Sequence, residues 1–280
     1  MIHRRAILRT GVGLIATALT ARPRPATGQA DPVWDRIMRE KKLRVHAVQF
    51  PPQTHRDQEG GEWKGFDADV FRYFARQLGV ELEVVWTTTA AMIPTLTSNR
   101  SDMGVALYRT PEREKVVDFT IPYKWVGDHI IVHADDKQTT SLEQLKGKVI
   151  GAPRGTAEEL AARKIQEAGY AREVRVHDSV DAMFRDLNAK RVDAIVYQTI
   201  YFQWVLTQNP DLKGRLAFEV DPQFFGRTER SPSQFPVYKG ATRLIEAVNK
   251  IILTMRENGE LARIFGSYGI TEPSVWTPPR

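Results

Sequence analysis

The residues best placed to do chemistry are Thr110-Pro111-Glu112-Arg113. A threonine followed by proline starts a helical turn, with the hydroxyl as cap and the proline in the first turn. An arginine delivered by such a turn can face a cleft and hold a carboxylate through two parallel hydrogen bonds. The same residues also read as a capped turn with a solvated surface charge. Gly155-Thr156 precedes a second helix. Backbone N–H groups there can receive an anion, and Thr156 with Glu159 also spells a capping box. These features suit a receptor for a small anionic or zwitterionic solute better than an enzyme with its own catalytic machinery.

Other chemistries lack their residues. The chain has no cysteine, so thiolate catalysis, Cys-ligated metal and disulfides are excluded together. His46, His55, His129, His133 and His177 show no zinc-like clustering with acids. The four-residue spacing of His129 and His133 falls in Asp-His-Ile-Ile-Val-His, which reads as a strand, where that spacing loses its meaning. There is no Gly-rich phosphate loop and no nucleophile elbow. No cofactor is expected, and no metal.

The first thirty residues read as an export signal. A charged start with Arg4-Arg5 is followed by an apolar run from Gly11 to Ala21, and the segment closes on Gly28-Gln29-Ala30. The run is too short to span a bilayer. Arg22 and Arg24 after it favour the twin-arginine route, although His3 stands where that pattern has Ser or Thr. Cleavage is expected after about Ala30, with the mature protein in the periplasm. The segment holds five arginines and no acid, whereas the whole chain has 40 basic and 34 acidic residues. The mature part is therefore close to neutral, and no electrostatic case for nucleic acid survives.

The elements that must position these residues alternate, which argues for an α/β fold with mainly parallel sheets. Strands are predicted at 43–48, 82–86, 103–107, 129–133, 148–152 and 195–197. Helices are predicted at 68–78, capped by Asp67 and stopped by Gly79, and at 90–96, 157–168, 180–188 and 242–256. Val70, Phe71, Phe74 and Leu78 form one apolar stripe, a core face rather than a cofactor box. Trp63 and Trp125 read as packing residues. Residues 226–236, polar and proline-containing, fit a linker between units, and Asp128 marks a passage the other way. This divides the mature chain into a discontinuous unit, 31–125 plus 235–280, and a second unit, 126–234.

Several of these segments carry a recognisable pattern. They include Phe50-Pro51-Pro52, Gly65-Phe66-Asp67-Ala68-Asp69-Val70, Thr110-Pro111-Glu112-Arg113, Val117-Asp118-Phe119-Thr120 and Pro122-Tyr123. Ser141 to Lys148, Gly155-Thr156 and Arg191-Val192-Asp193-Ala194 continue it. In this the chain resembles the periplasmic solute-binding proteins of polar amino-acid ABC importers, family 3. The resemblance implies a type II two-lobed clamshell of mixed, mainly parallel sheets. It also implies a small carboxylate-bearing ligand trapped between the lobes, delivery to an ABC permease, and a monomer. It makes Arg113 the clamp on a ligand carboxylate, Thr156 and Thr110 further contacts, and Phe50 an aromatic that closes over the ligand.

The departures from the pattern matter as much. Gln198 stands where the family has an acid for the ligand's ammonium, and Val48 occupies a strand position that can carry another. Ala106, Leu107, Tyr108 and Arg109 replace small or hydroxylated residues before the threonine, and Ala157 replaces a second hydroxyl. Arg109, turned inward, would add a second positive charge. These changes shift the expected ligand towards an acidic amino acid or an organic acid without a charged amine. The rival reading on the same fold is a cyclohexadienyl dehydratase-like enzyme, which needs a general acid in the cleft that no motif here identifies. A ligand-sensing accessory protein is the third.

Overall fold

Strand and helix alternate throughout the computed structural model, which describes residues 31–279; the segment read as an export signal lies outside the described residues. Helix α1 (Pro32–Glu40) starts at Asp31, whose side chain accepts from Trp34 N at 3.0 Å. It leads into β1 (Lys42–Ala47), α2 (Phe66–Leu78), β2 (Glu81–Trp86), α3 (Met92–Thr97), β3 (Met103–Gly104), α4 (Pro111–Glu114) and β4 (Val117–Phe119). Next come β5 (Lys124–Val126), β6 (Asp128–His133), β7 (Val149–Pro153), α5 (Ala157–Glu167), β8 (Glu173–His177) and α6 (Val180–Asn188). The chain continues with β9 (Ala194–Gln198), α7 (Thr199–Gln208), β10 (Gly214–Glu219), β11 (Ser231–Ser233), β12 (Pro236–Tyr238), α8 (Thr242–Glu257) and α9 (Glu260–Ser267). Among the described residues, no helix is long and apolar enough to cross a membrane.

Two five-stranded sheets result, in the orders β2-β1-β3-β12-β4 and β10-β6-β9-β7-β8. In the first, β1 runs parallel to β2 and β3, while β12 is antiparallel to β3 and β4. In the second, β7 runs parallel to β8 and β9, and β6 is antiparallel to β9 and β10. The chain leaves the first sheet through β5 and returns through β11. These two pair antiparallel as a ribbon of their own, with Ser233 opposite Lys124.

Two expectations are corrected here. The strand predicted over 103–107 pairs regularly only at Met103–Gly104, and Leu107 makes an isolated bridge to Gln234. The supposed linker over 226–236 contains β11 and the first residue of β12, because its Ser-Pro-Ser and Phe-Pro runs pair with β5 and β4. Pro232 lies in a two-stranded ribbon and Pro236 is the first residue of β12, both places that tolerate the prolines that made the segment look unstructured.

Each sheet carries its own packing. On α2, Val70, Phe71 and Phe74 are fully buried and Leu78 is half-buried at the stripe's end. Phe71 and Phe74 meet Phe235 edge-on at 4.9 and 5.5 Å between ring centroids, and Tyr123 stacks on Phe235 at 4.4 Å. Trp63 and Trp125 are buried too. Helix α8 adds Leu244, Val248, Ile252 and Met255 to the same core. The second sheet buries Ile130, Val132, Ile150 and Val196 on one face and Ile131, Ile195 and Phe202 on the other.

Candidate functional site

Beyond the end of β1 the chain turns through Phe50–Gln53 and lies against the start of α2. Gly65 permits this approach: its φ is +111°, and a Cβ there would sit 2.4 Å from the Gln53 carbonyl oxygen. The loop then fills the helix's free donors, since Phe66 N and Asp67 N donate to the Pro52 and Gln53 carbonyls at 3.2 and 2.9 Å. Asp67 was expected to cap this helix. Backbone carbonyls do that instead, and its carboxylate turns into the interior, where it accepts from Ala106 N at 2.9 Å, Gln53 Nε2 at 3.0 Å and the Tyr123 hydroxyl. Asp67 thereby fixes Ala106, just beyond β3, and Gln53 at the same place.

That place borders a cleft of about 340 Å³. Its lining comes from the 48–53 loop, residues 105–108 with Arg113, the two-stranded ribbon and residues 198–201. Of the sequence-predicted site residues it brings together Phe50, Ala106, Tyr108, Arg113 and Gln198. Phe50 and Tyr108 are exposed to 60% and 44%, unusual for large aromatics and suited to a face that a ligand covers. Arg113 is half-buried; Thr110 Oγ1 accepts from its backbone N–H at 3.3 Å, and its guanidinium donates to the Tyr108 carbonyl. The cap and the cleft-facing arginine therefore coexist.

Thr110 and Thr156 do not line this cleft. Their hydroxyls are engaged locally: Thr156 Oγ1 accepts from Glu159 N at 3.3 Å and donates to the Pro153 carbonyl at 2.9 Å. Gly155 N, a candidate anion donor, is taken by Glu159 Oε2 at 2.7 Å. Arg109 does not line the cleft either; it pairs with Glu114.

Four residues that sequence reasoning passed over complete the surroundings. Gln198 Nε2 lies 3.4 Å from a carboxylate oxygen of Glu158, near the start of α5, so an acid stands beside the position that lacks one. Asp128 pairs with Gln198 across β6 and β9, which places both side chains on one face of the sheet. Glu158 and Asp128 are only 6% and 5% exposed. Burial first, and then Glu158, push the Asp128 carboxyl up to about 7, against the pull of Arg227 3.8 Å away. Tyr108 feels the same groups: its hydroxyl pKa is raised, by desolvation first, with Arg227 opposing the shift and Asp128 and Glu158 adding to it.

The other two are Lys124 and Ser233, opposite each other in the ribbon and both in the lining. Lys124 Nζ donates to Gln53 Oε1 at 3.0 Å, the Tyr123 hydroxyl at 2.9 Å and Ser233 Oγ at 3.1 Å. Burial pulls its pKa down to about 8, with Asp67 opposing. A lysine set among aromatic and aliphatic residues, Tyr123-Lys124-Trp125-Val126, was the available signal.

Two sheets joined by a ribbon, with a cleft lined from both sides, define a two-lobed periplasmic-binding-protein clamshell of type II. The solved L-cystine solute receptor of Neisseria gonorrhoeae, in its unliganded open conformation, has this fold; it superposes with a TM-score of 0.72 at 22% identity, over 87% of this chain and 99% of the receptor. The chain belongs to the bacterial extracellular solute-binding proteins, family 3, whose sequence pattern matches residues 43–271. It is similar to the arginine-binding extracellular protein ArtP of Bacillus subtilis, 28% identical over 74% of this chain and 78% of that protein. It is similar also to the L-cystine-binding protein TcyJ of Escherichia coli, 28% identical over 76% of each chain.

Proposed function

We propose that this protein captures a small amino acid between its two lobes and delivers it to an ABC permease. One observation carries the reading: Arg113, half-buried, faces an otherwise largely apolar cleft lined from both sides of the ribbon. A guanidinium there holds a carboxylate in two-point geometry, and the low dielectric strengthens the contact. Phe50 and Tyr108 supply the apolar surface that a ligand would cover. The amine has its own partner. Gln198 offers an amide oxygen, and Glu158 beside it supplies the charge that position 198 lacks. An ordinary α-amino group is thus accommodated, which favours the acidic amino acid over the amine-free organic acid, the two ligands that the sequence left open. The names of similar proteins, binders of arginine and of cystine, support an amino acid as the class.

Binding rather than turnover is the activity we assign. A dehydratase of the rival kind needs a general acid against its substrate, and no aspartate or glutamate lines the cleft among the described residues. Export to the periplasm through the leader, and a monomer docking on a membrane partner, complete the proposal.

The test is a thermal-shift screen of the purified protein against twenty amino acids and a panel of organic acids, with prephenate turnover measured in parallel. A ligand present at one hundred times its Kd adds about 2.7 kcal/mol, a shift of roughly 5–10 °C for a chain of this size. A shift from at least one amino acid, with prephenate unchanged, is the expected result; silence across all amino acids overturns the assignment.

A further inference from the structure

The charges that line the cleft are all of one sign. Among its nineteen lining residues are two cations, Arg113 and Lys124, and no aspartate or glutamate. Lys124 is the more telling, because it is buried to within 2% of completely and yet reaches the cleft wall. Its three acceptors, Gln53 Oε1, the Tyr123 hydroxyl and Ser233 Oγ, are uncharged oxygens. They hold the ammonium in place without neutralising it. Its counter-charge, Asp67, stands one hydrogen bond further off, behind the Tyr123 hydroxyl, and does not line the cleft. The pair is therefore an oriented dipole, with its positive end at the cleft and its negative end in the core.

The groups that frame this dipole leave it one use. The rings of Phe66 and Tyr123, 5.2 and 4.8 Å from Nζ, keep water from the ammonium's flanks. Val126, Val105 and Met92 make the surrounding wall apolar. A charge in such a setting is poorly screened, and a ligand group of opposite sign gains more there than in water. If Arg113 takes the α-carboxylate, a second carboxylate is what the remaining cation matches.

We propose that Lys124, with Gln53 and Ser233, reads a distal carboxylate, and that the ligand is an amino acid with an acidic side chain. The inference rests on the amino-acid reading above and narrows it. A basic side chain would bring a third positive charge to a lining whose neighbouring acid, Glu158, is already assigned to the α-amino group. An apolar one would bring no opposite charge to the positive end of the dipole. An amide side chain supplies an acceptor without the charge and falls between.

The experiment is isothermal titration of the purified wild-type protein with glutamate, aspartate, glutamine, norvaline and lysine. Norvaline has an aliphatic side chain close in length to that of glutamate, so the ratio isolates the distal group. A carboxylate brought beside a poorly screened cation predicts that an acidic ligand binds at least about tenfold more tightly than norvaline, with glutamine between them and lysine producing no heat. Norvaline or lysine binding as tightly as the acidic amino acids overturns the proposal while leaving the amino-acid reading intact. Silence from every amino acid, here and in the wider screen, overturns both. Lys124→Met together with Asp67→Asn removes both charges of the dipole at once, which spares the fold an uncompensated buried charge. Within this variant the acidic preference, the ratio of acidic-ligand to norvaline affinity rather than either affinity alone, is expected to fall to about one, with a thermal melt confirming that the variant is folded. Retention of that preference in a folded variant refutes the role of Lys124, and Ser233→Ala, which removes a single contact, is expected to reduce it in part.

Discussion

Asp67→Ala is the perturbation that probes the framework of the site most sharply. Asp67 is wholly buried and accepts hydrogen bonds from three donors: Ala106 N, Gln53 Nε2 and the Tyr123 hydroxyl. Truncation leaves all three without an acceptor and leaves Lys124 with no counter-charge in the interior. Breaking a buried ion pair by removing one partner costs about 3–5 kcal/mol. For a domain of this size each kcal/mol moves the melting point by roughly 2–4 °C, so a fall of about 6–20 °C is expected by calorimetry without ligand. Asp67→Asn keeps the shape and one acceptor and should cost less. Adding Lys124→Met to Asp67→Ala should recover part of the loss, because the two positions are coupled. A melting point within 3 °C of wild type for Asp67→Ala would refute the reasoning that this network holds the cleft wall.

Three further outcomes follow from the same geometry. Burial pulls His46 and His129 down to about 4, whereas in the unfolded chain they titrate near 6.5. Between those values the unfolded chain binds more protons, so stability should decline as pH falls from about 6.5 to 4, by at most about 3 kcal/mol per histidine; a melting point flat over that window would contradict the burial assigned to them. Phe50→Ala removes an exposed aromatic, so the ligand-free melting point should change little, within about 0.5 kcal/mol, while ligand affinity drops by about tenfold. Glu158→Gln should weaken an amino acid by about tenfold relative to the matching organic acid without an amine, glutamate against glutarate; an unchanged ratio in competition binding would remove Glu158 from the amine site.

Much of the fold was legible because the signals were local. The stripe on α2, the Gly79 stop and the extents of α6 and α8 follow from periodicity and capping within a dozen residues. The family pattern pointed to Arg113, which lies in the cleft lining, and the Thr-Pro turn is the local signal for how it is presented. Signals that span the chain stayed hidden. Lys124 gains its meaning only when β5 pairs with β11 more than one hundred residues later and Gln53 arrives from the opposite direction. Glu158 looked like the second residue of a helix, and its nearness to Gln198 exists only after β7, α5 and β9 assemble. Asp67 misled for a related reason: aspartate at a helix start is a good cap, but here two loop carbonyls reach those donors first.

The proposed function turns on Arg113 holding the carboxylate of an amino acid inside the cleft. Isothermal titration of wild type and Arg113→Ala with the amino acid that gives the largest thermal shift tests it most directly. One-to-one binding by the wild type is expected, with a loss of at least about one hundredfold in the variant, the cost of removing a charge-assisted two-point contact, and an unchanged ligand-free melting point because the half-buried Arg113 side chain bonds only the nearby Tyr108 carbonyl. Wild-type affinity in Arg113→Ala would contradict that role.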